Sequence, residues 1–444
     1  MRTLYVVIVL TFTSVYCSAA IPLWGLKAIK VKEAWEIAGQ KNQGKGVRIL
    51  DIDSGIDLNI SSVKNFRQGL WLGKAARSSL PYDYYDERGH GSSVVGIIVG
   101  VAPQVELYMA KLDFEASEQE MIDELQRGVE WGISIPVEII NIEDVFGDDD
   151  LDGVDHSKLD SAIKRAYDSG ITITVPAGNG NGNKVAYPGI LPWAISAGEV
   201  NVFNERKFGD YGTGLALVAP GESIRTTFPI GHARDSKVNF EVGGTIFQIE
   251  SMGFVRSPFV KAMKGFVTAA GNGTKLDFEK FPPGQIALIH RMPRQLISIQ
   301  LQINEAIKAG VAALFLCNNE PLLSTKYAPL TDPESKIPVI YLDRDCEQLM
   351  KRLDQGEQVF ANLSIVPGDI VSFSGTSSAA PHVAGTIALM KAVNPSLTSK
   401  EVLQILQQTA TPIPSNQNEF GAGLINAADA VRRSLKPSRS AVAN

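Results

Sequence analysis

Between about Gly46 and Asn179 the chain repeats one pattern: a short continuous run of β-branched and aliphatic residues, then a stretch of helical length. The runs are Val47 to Ile52, Val105 to Ala110, Ile139 to Ile142 and Ile171 to Val175, and helix-like segments such as Glu118 to Trp131 and Ser157 to Ser169 lie among them. Strands that are apolar throughout must be covered on both faces, and strands alternating with helices run parallel. The pattern predicts an α/β fold with a mainly parallel sheet. Aspartate-rich and glycine-rich segments follow the strands, and ligands in such sheets bind outside the strand carboxyl ends. A functional site is expected there.

Composition narrows the possible functions. With 444 residues, 44% of them hydrophobic, the chain has apolar material for two or three cores. Its 42 basic and 48 acidic residues give a net charge of -6 with no basic run, so a nucleic-acid partner is not expected. The three cysteines, Cys17, Cys317 and Cys346, have no CxxC spacing, and neither a cofactor nor a metal site is expected.

Leu4 to Val15 is apolar or hydroxylic and Cys17-Ser-Ala-Ala20 is small, so residues 1–20 read as a secretory signal peptide. The run is shorter than the roughly 20 residues of a membrane span, so no stable membrane anchor is expected. The protein is then secreted or otherwise exported, where Cys317 and Cys346 are free to pair if geometry permits.

From about Arg234 to Val366 the rhythm changes. One helical segment, Leu296 to Ala309, sits among short strands (Gln285 to His290, Ala312 to Leu316, Val339 to Leu342) and Pro/Gly turns. Residues 234–366 are expected to form an inserted β-rich domain, dividing a catalytic domain into 21–233 and 367–436 and leaving 437–444 as a polar tail. Ser378 to Val393, Ser399 to Gln408 and Ala427 to Leu435 read as helices of the second part.

Three residues carry candidate chemistry. Asp53 ends an apolar strand and is followed by Ser54-Gly55, which suits either an orienting carboxylate or a turn aspartate. His90, in Gly89-His-Gly-Ser-Ser93, opens an apolar helix and is either a base or a helix-start histidine bound to backbone. Ser377, in Ser374-Gly-Thr-Ser-Ser-Ala-Ala-Pro-His-Val-Ala-Gly385, lies at a loop-to-helix junction, where free N–H groups favour developing negative charge; a serine N-cap is the alternative. A serine hydroxyl needs a histidine to take its proton and a carboxylate to orient that histidine.

The order Asp, His, Ser and the three surrounding motifs, Ile49-Leu-Asp-Ile-Asp53-Ser-Gly-Ile, His90-Gly-Ser-Ser-Val-Val-Gly-Ile-Ile-Val-Gly100-Val-Ala-Pro and Gly375-Thr-Ser377-Ser-Ala-Ala-Pro-His-Val-Ala-Gly, resemble those of subtilisin-like serine proteases. The resemblance implies a subtilisin-like three-layer fold and a serine endopeptidase. Asp53, His90 and Ser377 would be its catalytic residues. Pro176-Ala-Gly-Asn179-Gly matches the segment carrying the family's oxyanion asparagine, so Asn179 would be a fourth, with Ala177 and Gly178 lining the substrate site. The partner implied is a protein or peptide substrate; oligomeric state is not indicated. Gly284 to Arg291, Ile303 to Asn319 and Ile337 to Tyr341 are similar to a protease-associated domain.

Other segments depart from the family. His-Gly-Thr-His has become His90-Gly-Ser-Ser93, and Asn59-Ile-Ser-Ser62 lacks a carboxylate that often binds calcium in relatives. Asp148-Asp-Asp-Leu-Asp-Gly153 starts like a calcium loop but has Leu159 where glutamate is needed, and reads as a solvated acidic turn. Trp24-Gly-Leu, a mature-like start, leaves no room for a propeptide. Asn141-Ile-Glu-Asp-Val-Phe-Gly147 stands where the family has Asn-Met-Ser-Leu-Gly, so Glu143 and Asp144 are candidate substrate-binding residues that would select a basic side chain, obstruct the substrate backbone, or point to solvent. The missing propeptide and altered segment leave a second reading, a weak or inactive homologue serving as a protein-binding module.

Overall fold

The computed structural model describes residues 24–39, 42–74, 82–249, 251–291, 298–317, 335–342, 345–414 and 417–435. The signal peptide and the polar tail expected from the sequence lie outside them.

Seven strands form one sheet: β1 (Arg48–Asp53), β2 (Phe66–Trp71), β3 (Glu106–Lys111), β4 (Ile139–Ile142), β5 (Thr172–Pro176), β6 (Ala194–Val200) and β7 (Leu217–Pro220). Their order is β2-β3-β1-β4-β5-β6-β7, with every pairing parallel. The four apolar runs became β1, β3, β4 and β5. The predicted helices formed at Glu118–Ser134 and Ser157–Asp168, the first behind a Ser117/Glu120 capping box.

Strand alternation sorts the side chains to two faces. Leu50, Ile52, Ile140 and Ile142 pack in one core with Leu125, Val129 and Ile163 of those two helices. Ile49 and Ile139 share the opposite core with Val94 and Ile98 of the helix His90–Val101 and with Ala380, Val383 and Ile387 of the helix Thr376–Val393. Three layers result. Asp51, Asp53 and Asn141 alternate with the first set and so face the second core. The chain leaves β1 toward β2 and β3 on one side and returns to β4 on the other, so the crevice at the carboxyl ends of β1 and β4 is a topological switch point.

A two-stranded antiparallel ribbon, Ile224–Thr227 with Ile370–Phe373, leads away from this body. Beyond it Ala233–Val242 pairs with Val359–Gly368, and these strands belong to a second sheet of eight. This sheet is less purely strand-and-turn than the sequence suggests. Val260–Ala269, Ile286–His290, Ala313–Cys317 and Val339–Leu342 run parallel, and besides the helix Ile299–Lys308 there are helices at Lys275–Phe278 and Cys346–Asp354. The last escaped sequence reading because it is short and charged, with only Cys346, Leu349 and Met350 buried. Cys317 and Cys346 form a disulfide, with Cα atoms 5.6 Å apart.

Candidate active site

Asp53 is the last residue of β1 and fully buried. His90 is the first residue of its helix, and its Nδ1–H donates to Asp53 Oδ2 at 2.7 Å and Oδ1 at 2.9 Å. A carboxylate only accepts, so the proton sits on Nδ1 and Nε2 is left as a base. Burial pushes the imidazole pKa down, but the charge and hydrogen bond of Asp53, helped by Asp86 and Asp144, leave it raised. The Phe373 ring meets the imidazole edge-on with centroids 5.1 Å apart.

The start of the histidine helix is pinned by groups that sequence reading missed. Asp86 is buried and accepts from the backbone N–H groups of Gly89 (2.7 Å) and Ser92 (2.7 Å) and from Ser54 Oγ (2.9 Å). Ser54 Oγ in turn accepts from Gly91 N–H at 2.9 Å. A carboxylate at a helix N-terminus satisfies donors that have no intrahelical partner. The acidic residue just before Gly89-His90 was the available signal. Gly91 is needed for close approach: a Cβ there would lie 2.2 Å from the Gly55 carbonyl oxygen.

Ser377 is the second residue of the helix Thr376–Val393, 8% exposed, while the rest of that helix through Lys391 is buried. Gly375 precedes it at φ 148°, ψ 166°, a region nearly closed to other residues, and so sets the abrupt turn into the helix. Asn179 is exposed just beyond β5. Its Oδ1 accepts from Thr376 N–H at 3.0 Å and Thr376 Oγ1 at 3.1 Å, which fixes the amide and leaves Nδ2 as the outward donor.

Ala177 and Gly178 are placed differently from expectation. Ala177 is 0% exposed, its N–H donates to Ala197 O and its carbonyl accepts from Ala186 N–H. Gly178 is buried too, its N–H donating to Thr376 Oγ1 at 3.2 Å and its carbonyl accepting from Asp210 N–H. Neither has a free polar group for substrate, so both form the wall behind Asn179.

Of the acidic pair, Glu143 needs correction, whereas Asp144 is half-buried. Glu143 neither presents charge to substrate nor points to solvent: it is 5% exposed, and its Oε1 accepts from Asn141 Nδ2 at 2.7 Å. Asn141 Nδ2 donates as well to Asp51 Oδ1 at 2.8 Å. Burial first, then the charges of Asp53 and Asp51, hold the Glu143 carboxyl well above the usual range. Asp51 is raised likewise by burial and Asp53, and Asp144 is pushed up to about 7, chiefly by burial. The exposed acidic turn that follows is tied down by Lys184, which reaches Asp148 at 2.6 Å.

These shifts predict an unusual stability profile. Asp51, Asp86 and Glu143 retain protons when folded at pH values where an unfolded carboxyl has lost them, so the native state binds more protons there and stability falls as pH rises. His90, raised as well, has the same sign. Glu106 and Glu120, lowered by Arg67 and Lys74, act only below that window; His382, held down to about 4 by burial, opposes the trend up to the ordinary imidazole range but is one group against several carboxyls. The thermal midpoint is expected to be higher at about pH 5 than at about pH 8, with a smaller difference in Glu143→Gln. Scanning calorimetry of both proteins checks this; a wild-type midpoint that rises over the interval would contradict it.

Comparison with known proteins agrees with this architecture. The sequence pattern of the subtilase family matches residues 44–252 and 365–423, more than half of the chain, and skips most of the second sheet. The minor extracellular protease Epr of Bacillus subtilis (strain 168) is 32% identical over 222 residues, 46% of this chain and 31% of Epr. Subtilisin NAT of Bacillus subtilis subsp. natto is 34% identical over 227 residues, 47% of this chain and 54% of that protein. The match thus spans about half or less of the length of these relatives. The crystal structure of the psychrophilic subtilisin-like protease Apa1 from the Antarctic psychrotroph Pseudoalteromonas sp. AS-11 superposes with a TM-score of 0.61, covering 94% of this chain and 99% of that one; at 19% identity it speaks for the fold alone. The chain belongs to the subtilase family.

Proposed function

We propose that this subtilase is an exported serine endopeptidase that hydrolyses peptide bonds through an acyl-enzyme on Ser377. The observation that carries the reading is the buried Asp53 carboxylate hydrogen-bonded to His90 Nδ1 at 2.7 Å, which leaves Nε2 free to take the serine proton. His90 Nε2 accepts the Ser377 proton as Oγ attacks the substrate carbonyl, and returns it to the leaving amine. Asp53 keeps the imidazole in the required tautomer and stabilises the imidazolium. The Nδ2 amide of Asn179, held by Thr376, donates to the oxyanion together with N–H groups at the start of the serine helix. A water then releases the acyl group by the same route in reverse.

Export rests on reading residues 1–20 as a signal peptide, and the similarity to the minor extracellular protease Epr supports it. No described helix is long and apolar enough to cross a membrane. The second sheet, carried on the ribbon Ile224–Thr227/Ile370–Phe373, is read as an inserted unit of the protease-associated type that screens substrates. Labelling with a fluorophosphonate tests the activity: one adduct on Ser377 is expected in wild type and none in Ser377→Ala. A folded wild-type protein that takes no label and cleaves no peptide would refute the reading.

A further inference from the structure

Glu143 has no place in the mechanism above, yet it sits inside the site. The sheet puts it there. Parallel pairing sets Asn141 beside Asp51, and two residues further along each strand the same face carries Glu143 and Asp53. The acid atoms of Glu143 and Asp53 and a ring nitrogen of His90 all lie within 4.8 Å of one another. The Ser377 hydroxyl stands beside the Glu143 carboxyl.

The hydrogen bonds say which form Glu143 takes. Its Oε1 is engaged by Asn141, whose single amide group also serves Asp51 and whose Oδ1 accepts from Thr174 Oγ1 at 2.7 Å. Its Oε2 is buried and has no hydrogen-bond partner among the described residues. An ionised oxygen in that position would be desolvated next to a second carboxylate, with only the neutral Ser377 hydroxyl beside it to offset the charge. A proton on Oε2 removes the conflict and turns the orphan acceptor into a donor. The nearby hydroxyl of Ser377 accepts such a donor and still has its own proton to give to His90.

We propose that Glu143 is a further residue of the catalytic site, which as a neutral acid donates from Oε2 to Ser377 Oγ and aims the serine proton at His90, and which on ionising turns the site off. The proposal rests on the protease reading. In the neutral state the donor also stabilises the negative charge that develops on Oγ during attack. In the ionised state the same oxygen becomes an acceptor, draws the Ser377 proton away from His90 and sets a like charge beside the oxyanion. The groups facing Glu143 are Asp51 and Asp53 from β1, His90 from its helix, Ser377 from the serine helix, and Asn141 on its own segment. Asp86 and Asp144 act on the same cluster through Asp51 and His90. All the carboxyls oppose ionisation of Glu143, so the switch lies above the ordinary carboxylate range.

The test is the rate of fluorophosphonate labelling of the full chain against pH, for wild type, Glu143→Gln and Glu143→Ser. Gln keeps an acceptor for Asn141 and a fixed N–H donor in place of the acid proton; Ser is smaller, also neutral, and too short to reach. The wild-type rate is expected to rise as His90 loses its proton and then to fall about tenfold per pH unit above the Glu143 ionisation. In Glu143→Gln the falling limb should vanish with the plateau within about threefold of wild type, and in Glu143→Ser it should vanish with a rate about tenfold lower. A wild-type profile without a falling limb short of unfolding, or the same limb in whichever variant folds, overturns the role of Glu143. Absence of label at every pH in folded wild type would overturn the protease reading, and this proposal with it.

Discussion

Ser377→Ala is expected to lower the turnover number on a peptide substrate by about 10⁶-fold, His90→Ala by a similar factor and Asp53→Asn by about 10⁴-fold. The reason is geometric. On the proposed mechanism His90 Nε2 is a base only while Nδ1–H is held by Asp53, and Ser377 is a nucleophile only while that base is in place, so the three would act as a unit. The triple variant should therefore be no worse than Ser377→Ala alone. Folding should survive the serine change, since it removes one oxygen from a side chain at the edge of the core. Steady-state kinetics with thermal unfolding of each variant checks both statements. A triple variant slower by a further factor of about 100 would mean that the residues contribute separately.

The next largest effect is expected at Asn179. Replacement by alanine should lower the turnover number by about 100-fold to 1000-fold and leave the Michaelis constant nearly unchanged. On the proposed mechanism its Nδ2 meets negative charge only in the transition state, whereas its Oδ1 is engaged by Thr376. That second contact matters to the choice of variant. Asn179→Ala also frees Thr376 N–H and Oγ1 at the start of the serine helix, while Asn179→Asp keeps an oxygen for them and removes the outward donor. Both variants should lose turnover, and only the alanine variant should lose thermal stability. Equal turnover in wild type and Asn179→Asp would remove the amide from the reaction.

Residue types and spacing determined a good deal of this protein. The continuous apolar runs required two covered faces, and β1, β3, β4 and β5 formed where those runs lie because a parallel strand has no solvent side. Asp53 at a strand end, His90 and Ser377 at helix starts and Asn179 in a glycine turn were legible because each sits in a long local motif, and local motifs survive folding unchanged. The hydrogen bond between His90 and Asp53 follows from that placement, since the switch point of the sheet brings the end of β1 to the start of the histidine helix.

Other features depended on neighbours far apart in the chain. The mixed order of the second sheet and its helix Cys346–Asp354 arose from long-range pairing, which no window of sequence contains. Ala177 and Gly178 belong to a recognisable motif, yet contacts with Ala186, Ala197, Asp210 and Thr376 enclose them. Glu143 and Asp144 read as candidate substrate-binding carboxylates, with solvent exposure as the alternative, because carboxylates are usually charged and hydrated. The register of β4 against β1 instead turned Glu143 inward onto Asp53 and His90, where charge is costly and a proton is the cheaper state. Sequence alone thus pointed to Asp53, His90, Ser377 and Asn179 as candidates, and tertiary structure added Asp86 and decided the ionisation of the carboxyls, because burial and the distance between charges exist only once the strands are side by side.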